Sequence, residues 1–482
     1  MTDTTVPDQG ILIAGRRRDA SDGAWSTLVE PATNEPFARV ARATRADADA
    51  AVASAAAAFA SGDWPTMRPR RRRDVLRRIA ELIRRDAERL ALYESRNVGK
   101  PIAAARGEIA AAATTFDFYA GAVDKFHGQT IPSDAEGTLL TFREPIGVCA
   151  AIVPWNFPLL ILSWKVAPAL AMGNTVVAKP ASITPLTALA LGDVALEAGL
   201  PPGVLNVVPG AGSVVGNALV EHPDVRKVSF TGSTEVGAEV MRRAAGDIKR
   251  VSLELGGKSA NIVFADADLD DAVGSSVFAV YDNAGQDCCS RSRILVQRDV
   301  FDEFVARFVD RTERLIVGDP MDEGTEIGPL VTADHLRRVQ GYLELGEQEG
   351  ARRVCGGERL GSRGNYLTPA VYLDVRPDMQ LMQDEIFGPV VGILPFADEA
   401  EAVALANTSR YGLSGSIWTR DIGRALRVAR AFETGMLSIN SSSSVHIEAP
   451  FGGVKRSGIG REQGMVALDH YSEYKTVFVG RD

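Results

Sequence analysis

Ile146-Gly-Val-Cys-Ala-Ala-Ile-Val153 is almost wholly apolar and is closed by Pro154. A short apolar run without alternation reads as a strand buried on both faces, the kind found in parallel sheets with helices on either side. Thr175-Val-Val-Ala178, Val204-Leu-Asn-Val-Val208, Lys227-Val-Ser-Phe230 and Arg250-Val-Ser-Leu253 continue the pattern, separated by helix-length segments. The helix after the second strand has Thr184 as its expected cap and Pro185 at its first position. This rhythm predicts a parallel, doubly wound sheet. It restarts after Ser259 with Asn261-Ile-Val-Phe264 and runs to about residue 440, which predicts a second α/β domain. A chain of 482 residues is too long for one ordinary core, in keeping with two or three domains.

Residues 1 to about 45 read as short strands and turns, followed by helical stretches over Ala46–Ala60, Arg72–Ser95 and Ile102–Phe126. Arginines crowd the second, from Arg68 to Arg85, but Val75, Ile79 and Leu82 thread an apolar stripe among them. The arginines are therefore read as the solvated face of an amphipathic helix. His470 to Val479 reads as a lone strand with no local partner, and such strands pair with another segment or another subunit. The net charge of -9 gives no reason to expect nucleic acid or an acidic membrane as partner. No apolar run reaches the ~20 residues of a membrane span, and Met1 to Gln9 lacks the apolar core of a signal peptide. Cys149, Cys288, Cys289 and Cys355 show neither metal-ligand spacing nor a secreted disulfide framework. A cytoplasmic protein without a metal is expected.

Tyr281-Asp-Asn-Ala-Gly-Gln-Asp-Cys-Cys-Ser-Arg291 follows a helical pattern of Leu269, Val273, Val277, Val280 and Ala284, with Asp268 as N-cap and Gly285 as stop. Arg293-Ile-Leu-Val-Gln297 behind it reads as a strand. Cys288 then sits in a turn between two rigid elements, where a thiol can face a cleft and its backbone N–H a reacting oxygen. Free cysteines are usually core residues; the polar neighbours Asp282, Asn283, Gln286 and Asp287 argue against that here. Residue type alone leaves nucleophile and structural thiol evenly matched.

Gly210-Ala-Gly-Ser-Val-Val-Gly216 and Phe230-Thr-Gly-Ser-Thr-Glu-Val-Gly237 each lead from strand to helix, the latter with Ser233 as cap, and either helix start could hold a pyrophosphate. The first has one residue too many for a dinucleotide fingerprint. Pro154-Trp-Asn-Phe-Pro158 lies just past a strand's carboxyl end, where open α/β sheets bind ligands. Glu254-Leu-Gly-Gly-Lys-Ser259 and Glu385-Ile-Phe-Gly-Pro389 each set a carboxylate in a glycine-containing turn.

With these motifs in this order, the chain resembles the aldehyde dehydrogenase superfamily over essentially its whole length; Gly285-Gln-Asp-Cys288 and Glu254-Leu-Gly-Gly-Lys258 are the most specific matches. The resemblance implies a Rossmann-type cofactor domain (1–125 with 146–256), a second α/β catalytic domain (257–455) and a small β oligomerisation element (126–145 with 456–482). It implies oxidation of a small-molecule aldehyde to the acid with NAD or NADP. Cys288 would attack the carbonyl as a thiolate and form a thiohemiacetal, then a thioester. The Asn156 amide and the Cys288 backbone N–H would hold the oxyanion. Glu254 would activate the hydrolytic water, with Lys165 and Glu462 relaying its proton outward. Cys289 would be a bystander.

On the cofactor side, the resemblance assigns Lys179 to the adenosine ribose and Glu385 and Phe387 to the nicotinamide ribose. Trp155 would line the cleft. Gly232 and Ser233 would meet the pyrophosphate, leaving Gly210–Gly216 as a turn on the adenine side. Ser182 stands where strictly NAD-dependent relatives have a glutamate, which removes a charge that would repel a 2′-phosphate. NADP is therefore expected to be tolerated.

Phe157, Trp164 and Phe278 would wall the substrate tunnel, with the polar loop Ser441-Ser-Ser-Ser-Val-His446 at its mouth. Asp282 and Asp287 would favour an ammonium-bearing substrate, as in aminoaldehyde- or betaine-aldehyde-oxidising relatives. The alternative is that they pair with Arg291 or Arg293 and the enzyme takes aliphatic and aromatic aldehydes broadly. A dimer or tetramer is expected, built on the hairpin around Gly128–Arg143 and the strand near Tyr474–Val479. Three other functions remain: a CoA-acylating relative, against which Glu254 speaks; a cysteine hydrolase, which needs a base such as histidine; and a silent protein on this fold.

Overall fold

The computed structural model describes residues 6–481; Met1–Thr5 of the polar N-terminal stretch and Asp482 lie outside it. In the strand Val148–Ile152, Val148, Ala150 and Ile152 enter one hydrophobic cluster and Cys149 and Ala151 another, so both faces of the sheet are covered. The sheet runs Gly458–Ile459, Arg250–Glu254, Val225–Thr231, Val148–Ile152, Thr175–Lys179, Leu205–Val207, Ile11–Ile13, Arg16–Arg18. Its five middle strands are parallel, and short antiparallel strands finish both edges. Chain order reverses between Val148–Ile152 and Val225–Thr231. That is the topological switch point, and the crevice beyond its carboxyl ends is where such sheets bind ligands.

The second sheet is parallel except at one edge: Arg352–Cys355, Ala370–Leu373, Val390–Phe396, Arg293–Gln297, Ala260–Val263, Gly415–Trp418, Ser438–Ile439. It has its own apolar core. The terminal strand Ser472–Gly480 pairs with another segment, as expected: it lies antiparallel to Gly137–Pro145, which also carries Thr130–Ile131. No described helix is long and apolar enough to cross a membrane.

Several expected boundaries shift. Arg72–Ser95 is two helices, Pro69–Arg85 and Ala87–Val98, broken at Asp86 (φ -95°, ψ 12°), whose carboxylate gathers Arg85 and Arg89. The third helix ends at Ala122 rather than Phe126. Thr184 does not cap its helix, which starts at Leu186 after Pro185, and its hydroxyl has no hydrogen-bond partner among the described residues. Gly458–Ile459, within the segment 456–482 expected to belong to the oligomerisation element, completes an edge of the first sheet.

Candidate active site

Pro154 and Pro158 hold the segment that follows the Val148–Ile152 strand. A residue before proline is kept out of helical geometry, and Phe157 is non-helical (φ -135°, ψ 67°) before the helix Pro158–Ala171 begins. Asn156 is thereby fixed at the switch point, buried, with its amide donating to the Gln286 carbonyl at 3.0 Å. Its own backbone carbonyl accepts from Lys100 Nζ at 2.9 Å and from Asn283 Nδ2 at 3.1 Å. Lys100 is fully buried, ion-paired with Glu108, and lies 4.4 Å from the centre of the Phe157 ring.

The loop that carries Cys288 is held by the same network. Asp268 caps the helix Leu269–Tyr281 as expected, but the helix stops at Tyr281, four residues before Gly285. Asn283, Ala284 and Gly285 are successively left-handed (φ 50°, 57° and 71°). For the two non-glycine residues this costs about 1–3 kcal/mol each. The cost is offset by contacts that cross the loop: Asn283 Nδ2 donates to the Gln286 carbonyl at 3.2 Å and Gln286 Nε2 to the Asn283 carbonyl at 3.0 Å. Gln286 Oε1 also accepts from Val331 N at 2.9 Å.

Cys288 is partly exposed and Cys289 buried. The Cys288 thiol is pushed up by its contact with Cys289 and by burial, with the charges of Asp287 and Glu385 adding to the effect. Asp287 Oδ1 accepts from the Cys289 N–H at 2.9 Å. The ligand atoms of Asp287, Cys288 and Cys289 all lie within 4.8 Å of one another, a cluster hidden by consecutive sequence positions.

Glu254 ends its strand beside Thr231 and Gly458. It is buried, and neither carboxylate oxygen has a hydrogen-bond partner among the described residues. Burial first and Glu462 second push its carboxyl well above the ordinary range. Lys165 and Glu462 form a buried ion pair, and Ser229 donates to Glu462 at 3.1 Å. The glycines after Glu254 are required by close approach. A Cβ on Gly256 would sit 2.2 Å from a Glu385 oxygen, and one on Gly257 2.2 Å from the Cys288 carbonyl. Gly257 N instead donates to Glu385 Oε1 at 3.0 Å, and burial holds that carboxyl up at about 7.

Two cavities meet here. One, of about 300 Å³, is lined by Trp155, Asn156, Gly232, Ser233, Glu385 and Phe387, and also by Arg338, Tyr342, Asp384, Arg410 and Tyr411. The Trp155 ring stands edge-on to Phe387 at 5.2 Å and to His335 at 5.5 Å. The other, of about 360 Å³, is lined by Phe157, Trp164, Phe278, Asp282 and Asp287, and also by Glu108, Leu160, Val445 and Phe451. Ile161, Thr231, Glu254, Leu255 and Cys288 belong to both. A large pocket whose polar groups converge on a thiol and a carboxylate with displaced proton affinities is what a catalytic site requires.

The family profile "Aldehyde dehydrogenase family" matches residues 18–477. The chain belongs to the aldehyde dehydrogenase family. It is 45% identical over 469 residues to an aldehyde dehydrogenase of Aspergillus niger, covering 97% of this chain and 94% of that one. It superposes with TM-score 0.97 on the NAD-dependent aldehyde dehydrogenase of Sinorhizobium meliloti (43% identical, 98% of this chain and 95% of that one). It superposes with TM-score 0.96 on a betaine aldehyde dehydrogenase of Staphylococcus aureus in complex with NAD+ (37% identical, 98% and 94%).

Within this family member, Ser233 caps the helix Thr234–Ala244 by accepting from Val236 N at 3.3 Å, which sets that helix N-terminus at the first cavity. Lys179 and Ser182 do not line either cavity. They lie beside the other Gly-rich turn, Lys179 with its stem 3.7–3.8 Å from where a Gly216 Cβ would be, and Ser182 donating to the Gly210 carbonyl at 2.8 Å. Lys165 and Glu462 also stand outside the cavity walls. Neither Arg291 nor Arg293 forms a salt bridge with Asp282 or Asp287 among the described residues, although the Arg291 charge bears on Asp287. Arg291 is spent on Ser416, Ser444 and the Cys289 carbonyl, and Arg293 on the carbonyls of Lys258, Leu405 and Ala406. Sequence reasoning missed Lys100, Glu108, His335, Arg338 and Arg410. A lysine between Gly99 and Pro101 at a helix break was the one available signal.

Proposed function

We propose that the chain oxidises an aldehyde to the carboxylic acid with NAD(P)+, Cys288 acting as nucleophile and Glu254 as base for hydrolysis. The observation that carries this is that Cys288 and Glu254 lie at the junction of a polar and an apolar cavity. The cofactor fits the polar one: it offers a capped helix N-terminus at Ser233 and a buried carboxylate at Glu385, with the buried ammonium of Lys179, lowered by burial to about 8, beside the neighbouring turn. When bound there, the nicotinamide supplies the acceptor for the hydride.

The protein's own groups do the rest. Cys288 Sγ, partly exposed, loses its proton to solvent water and adds as thiolate to the carbonyl carbon, whose π pair moves to the oxygen as an oxyanion held by the Asn156 amide and the Cys288 N–H. After oxidation the substrate is a thioester on Cys288. Glu254, without a competing partner, takes a proton from water as that water attacks the acyl carbon, and Cys288 leaves as thiolate. Lys165 and Glu462, charged neighbours of Glu254, carry the proton on.

On this reading 1–125 with 146–256 binds the cofactor, 257–455 supplies the nucleophile, and 126–145 with 456–482 forms the oligomerisation element. Phe142, Tyr474, Phe478 and Val479 stand exposed on its strands, which supports a homodimer or tetramer; sedimentation velocity at micromolar concentration tests it. Ser182 leaves room for a 2′-phosphate, so NADP is accepted beside NAD.

The substrate carries an apolar or aromatic body, because Phe157, Leu160, Ile161, Trp164, Phe278 and Phe451 dominate the second cavity. A second reading, a cationic aldehyde, is favoured by Asp282 and Asp287, which line that cavity with no salt bridge among the described residues, though the charges of Arg291 and Lys100 bear on Asp287 and that of Lys100 on Asp282. Nicotinamide reduction with straight-chain, aromatic, amino and betaine aldehydes, using NAD and NADP, tests all of this. Wild-type inactivity throughout would overturn the function. A cationic preference lost in Asp282→Asn would replace the apolar reading with the cationic one.

A further inference from the structure

Parallel strands covered on both faces are apolar throughout, and the first sheet departs from that along one line. On the face of Val225–Thr231 shared with Cys149 and Ala151, the side chains are Lys227, Ser229 and Thr231. The adjoining strand Arg250–Glu254 sets Ser252 beside Ser229 and Glu254 beside Thr231. The opposite face of the same two strands is Val228, Phe230, Val251 and Leu253, within or packed on an apolar cluster. The polar line thus keeps to one face and ends at Glu254. Lys227 and Ser229 are each only 1% exposed. Lys227 Nζ donates to Ser252 Oγ at 2.7 Å and lies 4.7 Å from the centre of the Tyr471 ring, with no salt bridge among the described residues. Ser229 donates to Glu462 Oε1 at 3.1 Å, the oxygen that Lys165 also holds. Neighbouring strands stand about 5 Å apart, so the Ser229 and Ser252 hydroxyls are neighbours. A buried ammonium without a carboxylate is costly, and nothing in the packing of this sheet calls for one. Cys149, Glu462, Lys165 and Arg250 all bear on the Lys227 charge, but burial outweighs them and lowers the ammonium to about 8. Beyond it the half-buried His470, whose Nε2 accepts from Arg461 N at 3.2 Å, feels the Lys227 charge.

We infer that Ser229, Ser252 and Lys227 form the outer half of a proton path from Glu254, with Lys227 releasing the proton to water on the His470 side. The inference rests on the role proposed above for Glu254 as the base for hydrolysis. The proton that Glu254 takes from water passes to Glu462. Ser229 accepts it there and hands its own hydroxyl proton to Ser252, which does the same for the neutral Lys227 amine. The ammonium so formed gives one proton to water. Each serine ends with the proton count it began with, and one proton leaves for each thioester cleaved. The side chains of Ser229, Ser252 and Lys227 line neither cavity, so they act through Glu462.

The test is rapid mixing of wild type, Ser229→Ala, Lys227→Met and Lys227→Arg with NAD+ and a straight-chain aldehyde. It is run at slightly acid pH, where the base form of Glu254 is scarce and hydrolysis is slow. The first equivalent of nicotinamide reduction is expected at the wild-type rate in every variant. The steady phase is expected to fall about tenfold or more in Ser229→Ala and Lys227→Met, the effect of losing a charge-assisted hydrogen bond. Lys227→Arg keeps the charge but cannot give up a proton, so it should be as slow as Lys227→Met. Ser229→Ala removes a single hydroxyl and carries the test if the lysine variants do not fold. An unchanged steady phase in Ser229→Ala would overturn the path. A first equivalent slowed as much as the steady phase would overturn it too, since that is a structural effect, and so would full activity in Lys227→Arg, since that is an effect of charge. Glu254→Gln separates the two levels. If it stalls after one equivalent while Ser229→Ala runs at the wild-type rate, the path alone falls; if it turns over at the wild-type rate, the base and the path fall together.

Discussion

The two cavities that meet at Cys288 are made of opposite materials. The cavity proposed for the cofactor is built largely from turns at strand ends, with Arg338 added from the helix Ala333–Gln348, and carries Asn156, Ser233, Glu385, Asp384 and Arg410. The cavity proposed for the substrate is lined largely by helix residues and is mostly hydrocarbon, with Asp282 and Asp287 free of salt bridges among the described residues and Glu108 held by Lys100. Binding of a fixed cofactor needs directional groups, and those require particular residues at particular turns. A wall that accommodates apolar bodies needs only bulk and shape, which many residue sets provide. The polar side is therefore the more intolerant of change, and the junction more intolerant still.

The largest effect is expected at the junction. Cys288→Ala should lose turnover by on the order of 10⁴-fold or more while still binding NAD, measured by titration of protein fluorescence. Retained turnover would erase the distinction between the two sides. Next, because burial and Glu462 raise Glu254, its base form is scarce at low pH and grows as pH rises through the elevated value. If deacylation limits turnover, the wild-type kcat should climb with pH and then level, and Glu254→Gln should remove that limb along with about 10²–10⁴-fold of the rate.

Lys100→Met probes the polar frame from behind. It strips one of two donors from the Asn156 carbonyl and leaves the half-buried Glu108 without its cation, so a stability loss of up to about 3 kcal/mol is expected by denaturant unfolding. Ser182→Glu should lower kcat/KM with NADP about tenfold, ~1.4 kcal/mol, and spare NAD. The smallest effect is on the apolar side. Burial and Asp287 hold Asp282 up at about 6. A carboxyl raised by folding keeps its stability below the ordinary value and loses it as pH rises through about 6, so Asp282→Asn should raise the Tm at pH 8 and leave it unchanged at pH 3.5.

The same contrast decided what could be read from residues alone. Pro154-Trp-Asn-Phe-Pro158 and Glu254-Leu-Gly-Gly-Lys258 are legible because proline restriction and close backbone approach leave few alternatives. The parallel sheets are legible because strands buried on both faces are apolar throughout. Lys100 was not: its partners, Asn156 and Glu108, are set by helix packing at distances no local pattern encodes. The break at Asp86 was missed for a related reason, since the apolar stripe continues across it while the backbone turns to suit tertiary contacts. The pairing of Asp282 or Asp287 with Arg291 or Arg293 was a fair expectation from proximity in sequence. Both arginines instead satisfy buried carbonyls, a demand visible only once the loops are folded against the second sheet.

The most direct test of the account is rapid mixing of Glu254→Gln with NAD+ and a straight-chain aldehyde, following nicotinamide reduction. Cys288 should still be acylated while hydrolysis stalls, giving a burst of about one equivalent per active site and then almost no further reduction. Steady turnover at the wild-type rate after that first equivalent would contradict the assignment of Glu254 as the base at the junction.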